Sequence, residues 1–265
     1  MHFQKNNTNN LKIMKKALRI AALALLTMGM VACDPTEDDN NGNNGNNGNN
    51  VNDSTPTNPT IPASPTEGQW VDLGLPSGLM WYSVNIGSTT PEGFGDYYAW
   101  GETQPKNFYS WTNYAYGSSD DKITKYCNSS EWGLNGFSDN LTTLQPSDDV
   151  ATQVLGSGAR IPTREEWQEL LDNTQSNWTV RNGVYGRLFT ADNLNTLFIP
   201  AAGNRYGSSL NRDGLDGDYW SSSLDVVAPC FAWNYHFGEV LNDVYDGNNR
   251  CDGYTIRAVR PADKK

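Results

Sequence analysis

The sequence is poor in the residue types from which most catalytic and metal centres are built. Its 265 residues include only two histidines and four cysteines, and His236 is the single histidine after residue 2. It has no closely spaced Cys/His set of the kind that binds zinc and no Gly-x-Ser-x-Gly turn to present a nucleophile. A Ser-His-Asp site that uses the serines at 221–223 is the alternative, but we predict that the chain is not an enzyme.

Basic residues are scarce as well. The chain has 19 Lys and Arg against 30 Asp and Glu, and five of the basic residues lie within residues 1–32, which contain no acid. The remaining residues therefore carry 14 basic and 30 acidic side chains, a net charge of −16. Such a surface repels phosphate backbones, so we predict no nucleic-acid partner.

No apolar run is long enough to span a bilayer. The run at residues 20–31 has about a dozen residues, whereas a spanning helix needs about 20. Basic residues at 12–19 precede this run and Met30-Val31-Ala32-Cys33 ends it. This order is typical of a secretory signal, and its end resembles the lipobox of bacterial lipoproteins. We predict a lipoprotein signal peptide at residues 1–32 and lipidation of Cys33; an ordinary secretory signal is the alternative.

Residues 33–66 lack the apolar side chains from which a core forms. Asn-Gly repeats are followed by Thr, Pro and Ser. We predict a lipidated, disordered linker, because such compositions cannot bury enough apolar surface to fold. Its r.m.s. span is about 30 Å, at roughly 5–6 Å times the square root of residue number. Such a linker lifts the remaining domain, residues 67–265, clear of the lipid.

The sequence from residue 67 carries the signals of an α+β domain. Ser147 is positioned to cap one helix, and Thr163-Arg164-Glu165-Glu166 forms a capping box for a second. Period-two alternation and turn residues predict short strands. These strands lie at 70–74, 79–84, 97–101, 185–191, 197–200, 231–237, from 240 onward and at 254–260, with a polar bridge at 246–249. Two helices with many short strands indicate an α+β fold.

Six short motifs occur in order within residues 69–262. They are VDLGLPSG from Val71, YAWGE from Tyr98, RIPTREEW from Arg160, FIPAAG from Phe198, YWSSS from Tyr219 and IRAVRP from Ile256. This series resembles the major-paralogous-domain family of Bacteroidetes surface lipoproteins. The resemblance implies a C-type-lectin-like domain related to the formylglycine-generating enzymes. It implies a fold rather than a function, because one fold carries many functions.

Three cysteines remain once Cys33 is assigned to lipid, so at most one internal disulfide can form. We favour Cys230–Cys251, because the predicted hairpin can return Cys251 beside the strand that holds Cys230; two unpaired thiols are the alternative. The two cysteines are about twenty residues apart. Formylglycine-generating enzymes carry their catalytic cysteines only a few residues apart, so that chemistry is not carried over to this chain.

A Gly-rich acidic loop is the candidate site for a cation. Asp213, Asp216 and Asp218 supply the carboxylates that a hard cation such as Ca²⁺ requires. The loop lacks the spacing and terminal Glu of an EF-hand, and the Glu-Pro-Asn and Gln-Pro-Asp tripeptides of calcium-dependent lectins are absent from the chain. We therefore favour a solvated turn, and we predict no cofactor.

Tyrosines and short polar residues cluster in the C-terminal part of the chain. In such mixtures, typical of recognition surfaces, rigid rings supply contact area and short polar side chains supply hydrogen bonds. We predict that this rim binds a ligand, with ordinary polar loops as the alternative. The candidate residues are Asn204, Tyr206, Ser208, Asn211, Asp213, Asp218, Asp243, Tyr245, Asn248, Asn249, Asp252 and Tyr254.

These observations favour a surface lipoprotein that binds a glycan or a protein through its C-terminal hairpin face, as an adhesin does. A structural or accessory subunit of a cell-surface assembly is the second hypothesis. An enzyme related to the sulfatase-modifying factors is the third. The expected location is the outer membrane, with the lipid at Cys33 as anchor and the domain exposed on the cell surface.

Replacing the predicted lipidation site tests the anchor. Cys33→Ser should move the protein from the detergent phase to the aqueous phase in detergent-phase partitioning, because the mutant has no thiol to acylate. Cys127→Ser serves as the control and should partition like the wild type. A Cys33→Ser protein that stays in the detergent phase would show that the lipoprotein interpretation is wrong.

Overall fold

The computed structural model describes residues 68–156 and 158–262. Within them the chain forms two α-helices, eleven β-strands and three 3₁₀ helices. The α-helices are α1 (Val150–Leu155) and α2 (Arg164–Asp172). The strands are β1 (Trp70–Asp72), β2 (Leu79–Asn85), β3 (Thr174–Arg181), β4 (Val184–Ala191), β5 (Thr196–Pro200), β6 (Asn204–Tyr206), β7 (Ser209–Asn211), β8 (Gly217–Leu224), β9 (Phe231–Phe237), β10 (Asn242–Asn249) and β11 (Arg257–Pro261). The 3₁₀ helices are Trp111–Asn113, Leu134–Gly136 and Pro146–Asp148.

The strands pair into small antiparallel sheets. Three sheets have three strands each, in the orders β1-β2-β11, β10-β9-β8 and β3-β4-β5, and β6 and β7 form a two-stranded hairpin. Each of these strand pairs is antiparallel. Two helices combined with antiparallel sheets confirm the predicted α+β class.

Helix α2 begins where the sequence predicts it. The Thr163 hydroxyl accepts a hydrogen bond from the backbone N–H of Glu166, and the Glu166 carboxylate accepts one from the backbone N–H of Thr163. This capping box satisfies two donors that the first turn would otherwise leave unpaired. Trp167 and Leu170 lie three residues apart on one side of the helix and are fully buried. The capping box and the buried stripe therefore both support a helix that starts at Arg164 and packs on the core.

An aromatic core forms around the Trp167 indole. Its ring centroid lies 4.7 Å from the Trp81 ring and 4.7 Å from the Tyr235 ring, and the Tyr235 contact is stacked. Tyr219 closes the cluster at 5.9 Å with an edge-on contact. These residues come from α2, β2, β9 and β8, so one helix side chain joins strands of two sheets.

Strand β8 separates two parts of the core because neighbouring side chains point to opposite faces of a strand. Tyr219 packs with Trp167 in the first cluster, whereas Trp220 packs in a second cluster with Trp100 and Tyr254. The Trp220 ring stacks on Tyr254 at 4.1 Å, and its indole N–H donates to the Tyr98 carbonyl at 2.8 Å. The YWSSS motif is thus a core element.

The long segment from 97 to 148 contains 3₁₀ helices and isolated bridges. The predicted strand at 97–101 is limited to one bridge, in which Tyr98 pairs with Tyr254. Much of this segment is held by the buried guanidinium of Arg250, which donates to the carbonyls of Lys125 and Tyr126 and to the Tyr114 hydroxyl. The segment therefore owes its order to tertiary contacts more than to regular secondary structure.

Two predicted features are corrected by the structure, and one strand was not predicted. Ser147 lies in a 3₁₀ turn, and Asp149 caps α1 by accepting from the Thr152 N–H at 3.0 Å. The predicted polar bridge at 246–249 continues β10, because its residues stay paired with β9 as far as Asn249 opposite Phe231. Strand β3, which the sequence analysis did not predict, has the polar sequence TQSNWTVR.

Truncating the central indole tests this description of the core. Trp167→Ala should lower the free energy of unfolding by about 3–5 kcal/mol, as expected when a buried Trp is replaced by Ala. Val154→Ala in α1 is the control, because Val154 is exposed and surface changes usually cost less than about 0.5 kcal/mol. Denaturant titration of both variants gives the comparison. Equal effects would place α2 outside the core.

Candidate functional site

The centre of the candidate site is the carboxylate of Asp218, at the start of β8. Asp218 is buried. Its Oδ2 accepts a hydrogen bond from Asn204 Nδ2 at 2.9 Å, and its Oδ1 accepts one from Asn234 Nδ2 at 3.3 Å. His236 Nδ1 lies 2.8 Å from the same Oδ1. Three polar side chains from β6 and β9 therefore converge on one buried carboxylate.

Strand register explains why these side chains meet. Asp218 pairs with His236, and His236 pairs with Asp243 across β8, β9 and β10. Directly opposite residues share a face of a sheet, and Asn234 joins that face because it lies two residues from His236. Asn248 on β10 donates through Nδ2 to Asn234 Oδ1 at 3.2 Å. The polar network thus crosses all three strands.

The opposite face of this sheet is apolar. Tyr219, Tyr235, Phe237 and Val244 are buried in the first core cluster. The β8-β9-β10 sheet therefore packs one aromatic face against Trp167. Its other face carries Trp220, which belongs to the second core cluster, and beside it the polar network around Asp218, which is the polar face. We call the polar face together with the β6-β7 hairpin the C-terminal face.

The β6-β7 hairpin extends the C-terminal face outward. Asn204 pairs with Asn211, and Tyr206 pairs with Ser209, so these four side chains share one side of the hairpin. Asn204 on that side contacts Asp218, whereas the Tyr206 ring is 66% exposed. On the other side, the Arg205 guanidinium lies 5.0 Å from the centre of the Tyr97 ring. Tyr206 is therefore presented to solvent next to an anchored polar network.

Asp252 brings a second carboxyl to this region, and it is half-buried whereas Asp218 is buried. Burial raises the pKa of Asp252 to about 7, and the negative charge of Asp218 adds to the rise, while a hydrogen bond from Asn249 opposes it. The backbone N–H of Asp252 also donates to the Asn249 carbonyl at 3.0 Å. Asp252 therefore changes charge near neutral pH.

The structure brings together five of the predicted contact residues: Asn204, Asp218, Asn248, Asn249 and Asp252. Tyr206, Ser208 and Asp213 are exposed, and Asn211 and Asp243 are half-buried. The side chain of Tyr245 and the lipidation site Cys33 lie outside the described residues.

Two of the predicted contact residues are buried instead. Asp218 is only 3% exposed because three donors surround it, so it anchors its neighbours and does not present a free carboxylate. Tyr254 is 4% exposed because its ring stacks on Trp220 inside the second core cluster. The sequence pattern marked both residues as polar and did not show that strand pairing covers them.

The predicted Cys230–Cys251 disulfide is not formed. Cys127, Cys230 and Cys251 are all buried free thiols. The backbone N–H of Arg250, and not that of Cys251, donates to the Cys230 carbonyl, at 3.2 Å. Cys230 packs with Cys127 and Trp132, whereas Cys251 packs with Tyr97 and Tyr109. Burial also raises the pKa of all three thiols, to about 12 for Cys230.

The three carboxylates of the candidate calcium loop have different surroundings. Asp213 is exposed, Asp216 is paired with Arg212, and Asp218 is bonded within the polar network. In the two described ranges, no group of three or more His, Cys, Asp or Glu side chains is placed to hold a metal ion.

Sequence reasoning missed Asn234, the link between Asp218 and Asn248. The signal for it is present, because Asn234 is a polar residue in the aromatic run Phe231–Phe237 and is almost fully buried. A buried asparagine needs hydrogen-bond partners. His236 lies on the same face of β9, beside Asp218.

A separate pocket of about 270 Å³ lies outside the C-terminal face. Its lining includes Glu102, Lys106, Tyr116 and Ser147. Glu102 and Lys106 form an ion pair at 2.7 Å, and the Lys106 ammonium also donates to the Asn113 carbonyl. None of the predicted contact residues lines it, so the C-terminal face remains the candidate site.

The raised pKa of Asp252 predicts a pH-dependent stability. An unfolded Asp ionises near pH 3.9, whereas folded Asp252 ionises near 7, so the folded state binds more protons between these values. Stability should fall as pH rises from about 4 to 7. Asp252→Asn removes the ionisation that lowers the stability, so it should raise Tm more at pH 8 than at pH 5. For a domain of this size, 1 kcal/mol corresponds to a change in Tm of roughly 2–4 °C. Asp213→Asn, at an exposed position, is the control, and a gain in Tm that does not depend on pH would contradict the assignment.

The comparisons with known proteins give no relative from which function can be transferred. No protein-family model, no curated protein and no solved structure matches this chain. Within residues 68–156 and 158–262, no helix has the length and apolar character needed to cross a membrane. The residues of the C-terminal face are therefore the basis for inferring function.

Proposed function

We propose that this chain is a surface recognition protein that binds a glycan or protein ligand through its C-terminal face. One observation carries the proposal: a polar network of Asn204, Asn234, His236 and Asn248 is fixed around the buried Asp218 carboxylate, beside the exposed Tyr206 ring. Fixed amides and an exposed ring are the components of a recognition surface.

Preorganisation is the physical reason to assign binding to this face. Ordering side chains on association costs roughly 0.5–1.5 kcal/mol for each rotamer-rich group. Asn204 and Asn248 are already held by hydrogen bonds, so much of that cost falls on folding and not on binding. The Asp218 carboxylate beneath the face and the half-buried Asp243 carboxylate give the face a negative potential, which disfavours anionic ligands and favours neutral or cationic ones.

We further propose that the domain has a C-type-lectin-like fold and is anchored to the outer membrane by lipid at Cys33. The order of the six sequence motifs supports the fold, together with two helices and small antiparallel sheets. The leader, the cysteine that follows it and the Asn-Gly linker support the anchor. In this arrangement the linker holds the C-terminal face away from the lipid.

A structural or accessory role in a surface assembly is the second candidate function. A specific feature favours it: Val180 and Tyr185 are exposed apolar residues that face each other across β3 and β4. An enzyme is the third candidate, and the structure adds no new support for it. The histidine of the C-terminal face is bonded to Asp218, and Ser221 donates to the Trp233 carbonyl and not to His236.

A two-residue variant of the C-terminal face tests the proposed function. Glycan and protein arrays probed with residues 67–265 supply the ligand. Tyr206→Ala with Asn248→Ala should then weaken binding by about 2 kcal/mol or more, roughly thirtyfold in Kd, because a few central aromatic and polar contacts dominate recognition. Both side chains are at least partly exposed, so the fold should persist.

The matched control is Phe137→Ala with Asn140→Ala, an exposed aromatic–amide pair outside the C-terminal face. This variant should bind like the wild type. Circular dichroism and thermal unfolding of both variants check that the fold is intact. Equal affinities for the two variants would overturn the C-terminal face as the binding surface.

A further inference from the structure

Strand β3 is the longest strand that lies at the edge of a sheet with its register unbroken. All eight of its residues pair with β4, from Thr174 opposite Ala191 to Arg181 opposite Val184. It is the terminal strand in the order β3-β4-β5. Across the part of the chain that the structure describes, the backbone of β3 bonds to β4 and to no other strand. Its outer N–H and C=O groups are therefore available to pair with another strand.

The usual protections of an edge strand are missing from β3. Natural edges carry lysines, prolines, inward-pointing charges or bulges that block pairing with other chains. Residues 174–180 read TQSNWTV, with no charge and no proline, and the pairing with β4 has no bulge. The only charge in the strand is Arg181 at its end, which is paired with Glu92 at 2.5 Å.

Exposed apolar side chains lie beside this edge. Val180 is 50% exposed and sits directly opposite Tyr185, which is 48% exposed. The Tyr185 ring stacks at 5.7 Å on Trp178, which is packed only partly against the core. Trp178, Val180 and Tyr185 therefore form an apolar patch that continues the core to the surface of the β3-β4 hairpin.

The patch extends to the β9-β10 turn. Arg187, the cross-strand neighbour of Trp178, donates to the carbonyls of Gly238 and Leu241 at 2.9 Å each. These bonds hold the turn next to Trp178, and in it Val240 is 90% exposed and Leu241 is 40% exposed. Contiguous exposed apolar surface of this kind marks interaction sites. The patch and the open edge occupy one region of the molecule.

We propose that β3 is a self-association edge, on which a second copy of this chain pairs antiparallel about a two-fold axis perpendicular to the sheet. That operation joins two three-stranded sheets into one of six strands. It also keeps equivalent faces on the same side, so Trp178 and Val180 of one copy meet the same residues of the other. One contact therefore covers both the open edge and the apolar patch.

Charge and closure argue for a second copy over another partner. The chain as a whole is acidic, with a formal net charge of −11, so two copies repel each other except where their surfaces are neutral. The stretch 174–180 is such a surface, and it offers a charged partner nothing to pair with. A two-fold contact is also closed, because it uses both β3 edges and leaves neither open for further growth.

Disulfide trapping in the full chain tests the proposal. Residues directly opposite in an antiparallel pair have Cα atoms about 4.5–5.5 Å apart, within the range of a disulfide. Cysteines are placed at Gln175, Asn177 and Thr179, singly and in pairs, so that every two-fold centre from 175 to 179 is covered. Oxidation of membranes that contain two differently tagged copies should give a species of twice the chain mass that carries both tags.

Matched variants show whether the cross-linked species forms through the β3 edge. Val180→Lys places a charge on the patch and should abolish the cross-link, whereas Val154→Lys, at a similarly exposed valine in α1, should not. Asn140→Cys gives the background of an exposed cysteine elsewhere. Cross-linking no stronger than that background would overturn the proposal. The absence of any trapped species with both tags would overturn it as well, because the cross-linked partner would then not be a second copy.

Discussion

A single buried cation holds the irregular half of this domain to its regular half. The Arg250 guanidinium donates to the carbonyls of Lys125, Tyr126 and Pro229 and to the Tyr114 hydroxyl, at 2.9–3.0 Å. A buried charge is costly unless it is well bonded, and here neutral oxygens provide the bonding. Aromatic faces add to it, with the centre of the Trp100 ring 4.8 Å from the guanidinium carbon.

The consequence of Arg250 is geometric. Its planar fork has five donors, and those donors reach the carbonyls of Tyr126 and Pro229, on chain segments more than a hundred residues apart. Lysine cannot reproduce that fork. The loops of residues 97–148 are fixed in this way against the end of β10, next to the C-terminal face. The proposed recognition surface therefore depends on a residue that takes no part in it.

The two faces of the β8-β9-β10 sheet separate an aromatic core from the polar network on which the proposed function rests. On one face Tyr219, Tyr235 and Phe237 surround Trp167. On the other, Asp218 gathers Asn204, Asn234 and His236. A buried carboxylate with three polar neighbours satisfies its own hydrogen-bonding needs, and Trp220 on the same face is covered by Tyr254. Under the proposed function, the half-buried Asn204, His236 and Asn248 at the edge of this network are the side chains that meet a ligand.

The sequence predicted the helices and strands that are stabilised by contacts between residues close together in the chain. The capping box at Thr163 and the alternation of β2 and β9 specify their own structure, and all three are found. Strand β3 lacks such a signal, because its polar sequence becomes a strand only by pairing with β4. Asp149 replaces Ser147 as the helix cap because its carboxylate also accepts from the Ile161 N–H, a contact that sequence spacing does not reveal.

The sequence predicted several of the residues that belong to the candidate site, but not how they are arranged in space. The sequence marks Asn204, Asn248 and Asp252 as polar residues near the end of the chain, and the structure places them around Asp218. It cannot show that Asp218 is buried, because that depends on the register between β8 and β9. The absence of the Cys230–Cys251 bond has a similar cause, since Arg250 takes the position beside Cys230.

The proposed lipid anchor and the proposed β3 contact would reinforce each other. A neutral strand edge with a small apolar patch gives a weak contact in dilute solution, where association costs translational and rotational freedom. Copies anchored in one membrane have lost most of that freedom already, so their effective concentration is high. Trp178 of β3 packs on Phe237, whose side chain lies on the aromatic face of the β8-β9-β10 sheet; the two ring centroids are 6.4 Å apart. Pairing through β3 would therefore take place on the side of that aromatic face. It therefore leaves both polar faces open, and a pair of copies would bind a repeated ligand with two sites at once.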